Sequence, residues 1–238
     1  DLPIVTVPTI ASTCAASSCL SVIYTKDHAF EKFVYYKKPP YHIFIDTKII
    51  TDAPFKYLRA GIGDTLAKHY EIEFSARGKD LDYSSALGLT ISNMCCDPLF
   101  KYGIDALNSS KKNVLNNSLE QVILAIIITT GIVSELINPD YNGAIAHALF
   151  YGLTNIKGFE EKFLHGDVVG YATIVQLMVD KNKSQAERQS YEKQFKIINK
   201  KLKNIFFNNN FLISSICNPV VGSSNISNLG SLIIEDIN

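Results

Sequence analysis

The sequence predicts a mainly α fold in which a few β-strands precede a helical domain. Three observations carry this reading. The first fifty residues hold short β-branched and aromatic runs separated by turn residues. Beyond Ile50, apolar residues recur with helical spacing as far as Phe206. The most apolar stretch, Val122–Ile137 (VILAIIITTGIVSELI), is shorter than the roughly 20 residues of a membrane span and carries Glu135. It reads as a buried helix.

The strands are expected at Pro3–Ile10 (PIVTVPTI), Ser21–Thr25 (SVIYT), Phe30–Tyr36 (FEKFVYY) and His42–Ile50 (HIFIDTKII). Lys26-Asp27 and Pro39-Pro40 mark turns between them. Four such strands rarely stand alone as a sheet domain, so they read as part of something larger or as an edge added to the helices. Asp52 is a suitable N-cap, and Pro54 falls in a first turn where its missing N–H costs nothing. Helices are then expected over 53–60, 62–78, 82–94, 97–109, 115–137, 139–152, 159–164, 166–181 and 185–206, with Gly152 and Gly158 as C-terminal stops. The tail Cys217–Asn238 is turn-rich before a last apolar SLII. Two parts follow: a strand-rich 1–52 and a helical 53–238.

Of the 238 residues, 47% are hydrophobic and 19% charged, ordinary for a protein with a sizeable core. Lys+Arg and Asp+Glu both number 23, so no global field draws nucleic acid or an anionic membrane, and neither is expected as a partner. Cys14, Cys19, Cys95, Cys96 and Cys217 are odd in number and follow no basic, apolar leader, which suits a reducing, cytoplasmic location. Cys14-x4-Cys19 and the adjacent Cys95-Cys96 match no common zinc module and read as buried or incidental thiols.

Three stretches carry the chemistry. In LRAGIGDTLAKHYEIEF, Gly61 and Gly63 read as a tight turn, with Asp64 opening a helix where its charge complements the dipole. His147 sits within AIAHALF, and His165 at the N-terminus of HGDVVGYATIVQLMV. One carboxylate and two neutral imidazoles from three helices can hold a divalent ion and leave a position open for substrate oxygen. The hydroxyl-dense VPTIASTCAASSCLSVIY, with Thr9, Ser12, Thr13, Ser17, Ser18 and Ser21, is either a polar loop or a place for a nucleotide's phosphate or ribose. His28, His42 and His69 read as surface or packing residues, and Lys181–Lys203 as a solvated helix.

VPTIAST, LSVIYT, AGIGDTLAKHYE, AHALFYGLT and EKFLHGDVVGYATIVQL occur in that order between Pro3 and Asp180. Together they resemble the glycerol dehydrogenase branch of the iron-containing (group III) alcohol dehydrogenases, nearest in motif to the 2-hydroxycarboxylate dehydrogenase-like members. The resemblance implies the dehydroquinate synthase-like fold, an α/β nucleotide-binding domain followed by a helical one with a metal in the cleft. Residues 1–52 would then be what is left of the nucleotide-binding domain. It implies metal ligands at Asp64, His147 and His165 for zinc or iron. It further implies contacts to NAD or NADP at Thr9, Ile10, Ala11, Ser12, Ser18, Leu20 and Tyr24. The expected activity is an NAD(P)-linked, metal-dependent interconversion of alcohol and carbonyl on a 2-hydroxy/2-oxo acid or a small polyol such as glycerol, in a homo-oligomer.

Three departures stand out. The upstream nucleotide-binding half, with its Gly-rich pyrophosphate loop, is not among these residues. A truncated, non-catalytic metal-binding or subunit-interaction domain is therefore the alternative reading. Where glycerol dehydrogenases carry STDAP, with an Asp for glycerol hydroxyls, this chain has Ser12-Thr13-Cys14-Ala15-Ala16. Cys14 becomes the candidate substrate contact, and losing an anion there favours a carboxylate substrate. Finally, Phe150 stands where relatives place a second His, three residues after the first histidine ligand.

Overall fold

The computed structural model of the chain describes residues 3–180, 182–187 and 189–190. The strand region is small. β1 (Val5–Thr6) pairs in parallel with β4 (His42–Ile43), and β2 (Leu20–Tyr24) forms an antiparallel hairpin with β3 (Phe30–Tyr35). His28 turns the hairpin at φ 63°. The expected strand over Pro3–Ile10 shrinks because Val5 and Thr6 are its residues that find a ladder partner.

His42–Ile50 does not remain a strand either. Asp46 accepts hydrogen bonds from the backbone N–H groups of Lys48 and Ile49, so it caps α1 (Thr47–Asp52) and turns the chain helical. Asp52, expected as a cap, is the last residue of α1. Next, α2 (Phe55–Ser75) replaces the two helices expected over 53–60 and 62–78. Gly61 and Gly63 lie inside it rather than in a turn, and Asp64 is mid-helix.

The remaining helices follow the expected order: α3 (Tyr83–Ile91), α4 (Asp97–Lys111), α5 (Asn117–Leu124), α6 (Thr130–Leu136), α7 (Ile145–Leu153), α8 (Phe159–Lys162) and α9 (His165–Val179). A π-helical turn at Ala125–Thr129 joins α5 to α6 without a break. The combined run Asn117–Leu136 is 20 residues, longer than its apolar stretch and by length and composition sufficient to cross a membrane. Length therefore does not separate the two readings. Burial supports the core reading for its inner face, where Val122, Ile123, Ile126 and Ile127 are fully buried.

Three helix boundaries fall elsewhere than expected. The helix expected from 139 starts at Ile145, because Pro139–Tyr141 forms a separate 3-10 turn. Gly152 lies in the last turn of α7 rather than after it, and Gly158, at φ 74°, opens α8 instead of ending a helix. The helix expected over 185–206, the tail 217–238 and Cys217 lie wholly or largely outside the described residues. Cys14, Cys19, Cys95 and Cys96 are free thiols.

The core explains the two glycines. One apolar cluster joins α2, α4 and α5 through Ile62, Leu66, Leu99, Leu119, Ile123 and Ile126. A second joins α7 to α9 through Phe150, Leu153, Val168 and Val169. Between them α2 and α9 touch backbone to backbone. A Cβ on Gly63 would lie 2.2 Å from the Gly166 carbonyl oxygen, and one on Gly166 would lie 1.9 Å from that of Ala60. No side chain fits, so glycine serves here for its missing Cβ. Gly166→Ala is expected to cost at least about 3 kcal/mol, the upper end for overpacking. Gly143→Ala, where a Cβ meets nothing within 4 Å, is the control and should stay near wild type. Denaturant unfolding of both variants checks this.

Candidate metal centre

Asp64, His147 and His165 come from α2, α7 and α9 respectively. Their donor atoms all lie within 4.8 Å of one another. Nε2 of His147 is 3.3 Å from Asp64 Oδ1, and Nε2 of His165 is 3.2 Å from the same oxygen. A tetrahedron with metal–ligand distances of about 2.0 Å has an edge of roughly 3.3 Å, so the two separations from Asp64 Oδ1 match edges of a zinc-type site. Side-chain exposure is 11% for Asp64, 17% for His147 and 26% for His165, so the trio is mostly buried but still reached by solvent.

Each donor is placed by a local cause. Asp64 follows Gly63, and the glycine contact brings it against the start of α9, whose first residue is His165. Arg59 ties the same two helices, donating through Nε at 2.8 Å and Nη2 at 2.5 Å to the two oxygens of the buried Asp167. His147 lies in the first turn of α7, whose N-cap position is Ala144 and has no side chain to cap with. The caps come from other helices. Glu71 on α2 accepts from the N–H groups of Ala144 and His147, both at 2.9 Å. Gln176 on α9 accepts from those of Ile145 and Ala146 at 3.1 and 3.3 Å. Four N–H groups that a helix leaves unpaired are thereby satisfied.

Glu71 also meets Nδ1 of His147 through Oε2 at 2.5 Å. Burial alone would raise the Asp64 carboxyl, but the hydrogen bonds and charge of His147 and His165 outweigh it and hold it well below the usual range. Burial would likewise raise Glu71, yet the His147 ring and the N–H groups of His147 and Ala144 pull it down. For His147 burial acts downward, and Glu71 with Asp64 overrides it, pushing the imidazole up to about 10. Two buried carboxylates beside one imidazole make a pocket that favours positive charge.

His165 is held differently. Its Nδ1 is buried with no hydrogen-bond partner among the described residues. Phe150, fully buried, packs edge-on to its ring at 4.3 Å and 85°. Phe150, the position where the resemblance led a second His to be expected, is therefore an apolar wedge against the His165 ring. Tyr151 and Phe30, 4.3 Å apart, extend this aromatic wall, with Tyr151 6.1 Å from His147. The hairpin is anchored there by the Phe30 N–H, which donates to Thr154 Oγ1 at 2.9 Å.

The N-terminal candidates divide. Ala11 and Ser12 pack against α2 at Gly61, one turn before Asp64: a Cβ on Gly61 would be 2.3 Å from the Ala11 carbonyl oxygen and 3.0 Å from Ser12 Cα. Cys14 senses the trio; burial pushes its thiol up, Lys68 pulls it down and Asp64 pushes it up. Tyr24 is raised by burial, then by Glu160 and Asp64. Thr9, Ile10, Ser18 and Leu20 share no hydrogen bond or ion pair with the three donors among the described residues. Ser17 faces inward, donating to Cys14 O at 2.9 Å and to Ile127 O, which removes one hydroxyl from any ligand.

Glu71 and Gln176 escaped the sequence reading. Glu71 stands two helical turns after Asp64 on the same face of α2, a buried carboxylate within HYEIEF, and that spacing was the available signal. Lys68, one turn after Asp64, is also buried and donates to Asn142 Oδ1 at 2.8 Å.

The packed helices beside a small strand region have the dehydroquinate synthase-like fold, shared with solved structures. Among known proteins, glycerol dehydrogenase 1 of Schizosaccharomyces pombe is 38% identical over 186 residues, covering 76% of this chain and 40% of that protein. Hydroxycarboxylate dehydrogenase A of Escherichia coli is 38% identical over 176 residues, covering 74% and 48%. The chain thus spans less than half the length of these relatives. The crystal structure of glycerol dehydrogenase from S. pombe superposes with a TM-score of 0.79 at 29% identity, over 98% of this chain and 63% of that one. An iron-containing alcohol dehydrogenase from Thermotoga maritima shares the fold, with a TM-score of 0.57 at 18% identity over 96% of this chain and 55% of that one. No established family profile matches the chain. The chain is thus similar in sequence to glycerol and hydroxycarboxylate dehydrogenases over about three quarters of its length, and it shares the fold of iron-containing alcohol dehydrogenases.

The Arg59–Asp167 pair carries a direct prediction. Arg59→Met leaves the Asp167 carboxylate buried without its partner and is expected to cost about 3–5 kcal/mol. Adding Asp167→Asn should recover part of that loss. Urea unfolding of the single and double variants measures both.

Proposed function

We propose that Asp64, His147 and His165 bind one divalent ion, zinc or iron. We further propose that the chain is the metal-binding portion of an NAD(P)-linked oxidoreductase interconverting an alcohol and a carbonyl. The observation that carries this reading is the convergence of three donors from three helices within 4.8 Å of one another, with both imidazoles 3.2–3.3 Å from the Asp64 carboxylate. In this reading residues 53–238 hold the metal. Residues 1–52 carry the dinucleotide contacts at Thr9, Ile10, Ala11, Ser12, Ser18, Leu20 and Tyr24, and the working enzyme is a homo-oligomer. Substrate is a 2-hydroxy/2-oxo acid or a small polyol such as glycerol. Support for the acid comes from Cys14, whose burial-raised thiol stays neutral and places no negative charge beside an incoming carboxylate.

When bound, the metal supplies Lewis acidity to the substrate oxygen and the nicotinamide exchanges the hydride. The chain's own residues do the rest. Asp64 provides the anionic donor, and the two imidazoles provide neutral ones. Phe150, Tyr151 and Phe30 close one side of the centre to water with apolar rings. The α2–α9 contact keeps Asp64 and His165 from drifting apart, and that fixed geometry is what positioning requires.

Purified chain reloaded with zinc or ferrous iron should hold about one ion per chain by elemental analysis. A chelator should remove the ion and lower Tm, and His147→Ala or His165→Ala should abolish retention. Wild type that retains no ion after reloading sinks the metal reading. For the activity, NAD(P)H oxidation is measured with 2-oxo acids and dihydroxyacetone. Turnover with at least one class is expected. A metal-loaded chain inert to every substrate and cofactor would instead support a non-catalytic domain.

A further inference from the structure

We infer that Glu71 is a positioning residue that sets which nitrogen of His147 faces the centre, and that its role as a helix cap is inseparable from this. The inference rests on the metal reading above. Glu71 is fully buried, and its two oxygens have different tasks. Oε1 accepts from the backbone N–H groups of Ala144 and His147. Oε2 meets His147 Nδ1. Two backbone donors on one oxygen favour the ionised form, and an ionised carboxylate only accepts. Nδ1 must then carry a proton and donate, so the nitrogen free to give up its proton to a metal and offer a lone pair is Nε2, 3.3 Å from Asp64 Oδ1. The ring is clamped at both its backbone and its far edge by one side chain. Asp64 and Glu71 sit on one face of α2, so the helix that supplies the anionic donor also orients the imidazole opposite it.

A cap with no say in the tautomer would explain the first two hydrogen bonds equally well, and Glu71→Gln separates the roles. The amide oxygen must stay on the two backbone N–H groups, because the reverse orientation points donors at donors. The amide NH2 group then falls on Nδ1 and donates to it, which forces the ring proton onto Nε2 and removes that lone pair. The cap survives while the ligand is silenced.

The expected result is a metal-free Glu71→Gln protein that unfolds within a few degrees of wild type. Its zinc affinity, measured by competition with a chromogenic chelator, should fall about 10–100-fold. Equal zinc affinity in a folded Glu71→Gln protein overturns the positioning role and leaves only the cap. Should that variant not fold, the zinc-loaded wild type still decides. Its 15N-imidazole spectrum must show His147 protonated at Nδ1 and metal-bound at Nε2, and metal-bound Nδ1 overturns the inference. Wild type that binds no zinc at all defeats the metal reading itself, a distinct outcome.

Discussion

The centre depends on α2 and α9 lying closer than side chains allow. Gly63, Gly166 and Gly170 meet across that seam with Ala60 O, and each would place a Cβ within 3 Å of a backbone atom. A helix pair normally sits about 8–10 Å apart. Removing the Cβ atoms here brings the Asp64 carboxylate to the first turn of α9 without a long side chain. A short, stiff carboxylate loses little rotamer freedom on being held, so the positional precision comes from the backbone contact. Arg59–Asp167 then ties the two helices with a pair that is itself buried, so sliding one helix would strand a charge.

The third donor reaches the seam through polar rather than steric means. Burying Glu71 and Gln176 would cost several kcal/mol if their oxygens lacked donors. An uncapped α7 would leave its N–H groups equally unsatisfied. Each deficiency answers the other. The positive end of α7 also meets the Glu71 charge, a favourable pairing with the helix dipole. Gln176 adds a link from α9 and returns its Nε2–H to Tyr70 O on α2, so all three ligand-bearing helices share one hydrogen-bonded junction.

Much of this was legible in the sequence. Helical spacing beyond residue 53 and the short strands predicted the architecture, because burial patterns are local, and the family resemblance pointed to Asp64, His147 and His165, which the structure brings together. The errors share one physical origin. Gly61-Ile62-Gly63 reads as a turn because glycine permits unusual φ, but here it is chosen for a contact with α9 and the Ala11 segment that no local rule reveals. His42–Ile50 has β-branched composition, yet the Asp46 side chain bonds two N–H groups and commits it to a helix. Glu71 is buried for a reason that is not local. Its partners lie some seventy positions downstream in α7.

Two imidazoles serving one centre are therefore oriented by different physics. His147 is fixed by directional hydrogen bonds to a buried carboxylate. His165 has its Nδ1 buried and without a described partner, and is fixed by the edge of Phe150 and by starting α9. Packing sets a ring's plane but cannot choose its tautomer; a hydrogen bond does both. Phe150 thus holds the His165 ring in place while offering nothing to fix a proton on Nδ1. Among the three donors, the proton economy of the centre then rests on the His147–Glu71 side, where the carboxylate is ionised and dry.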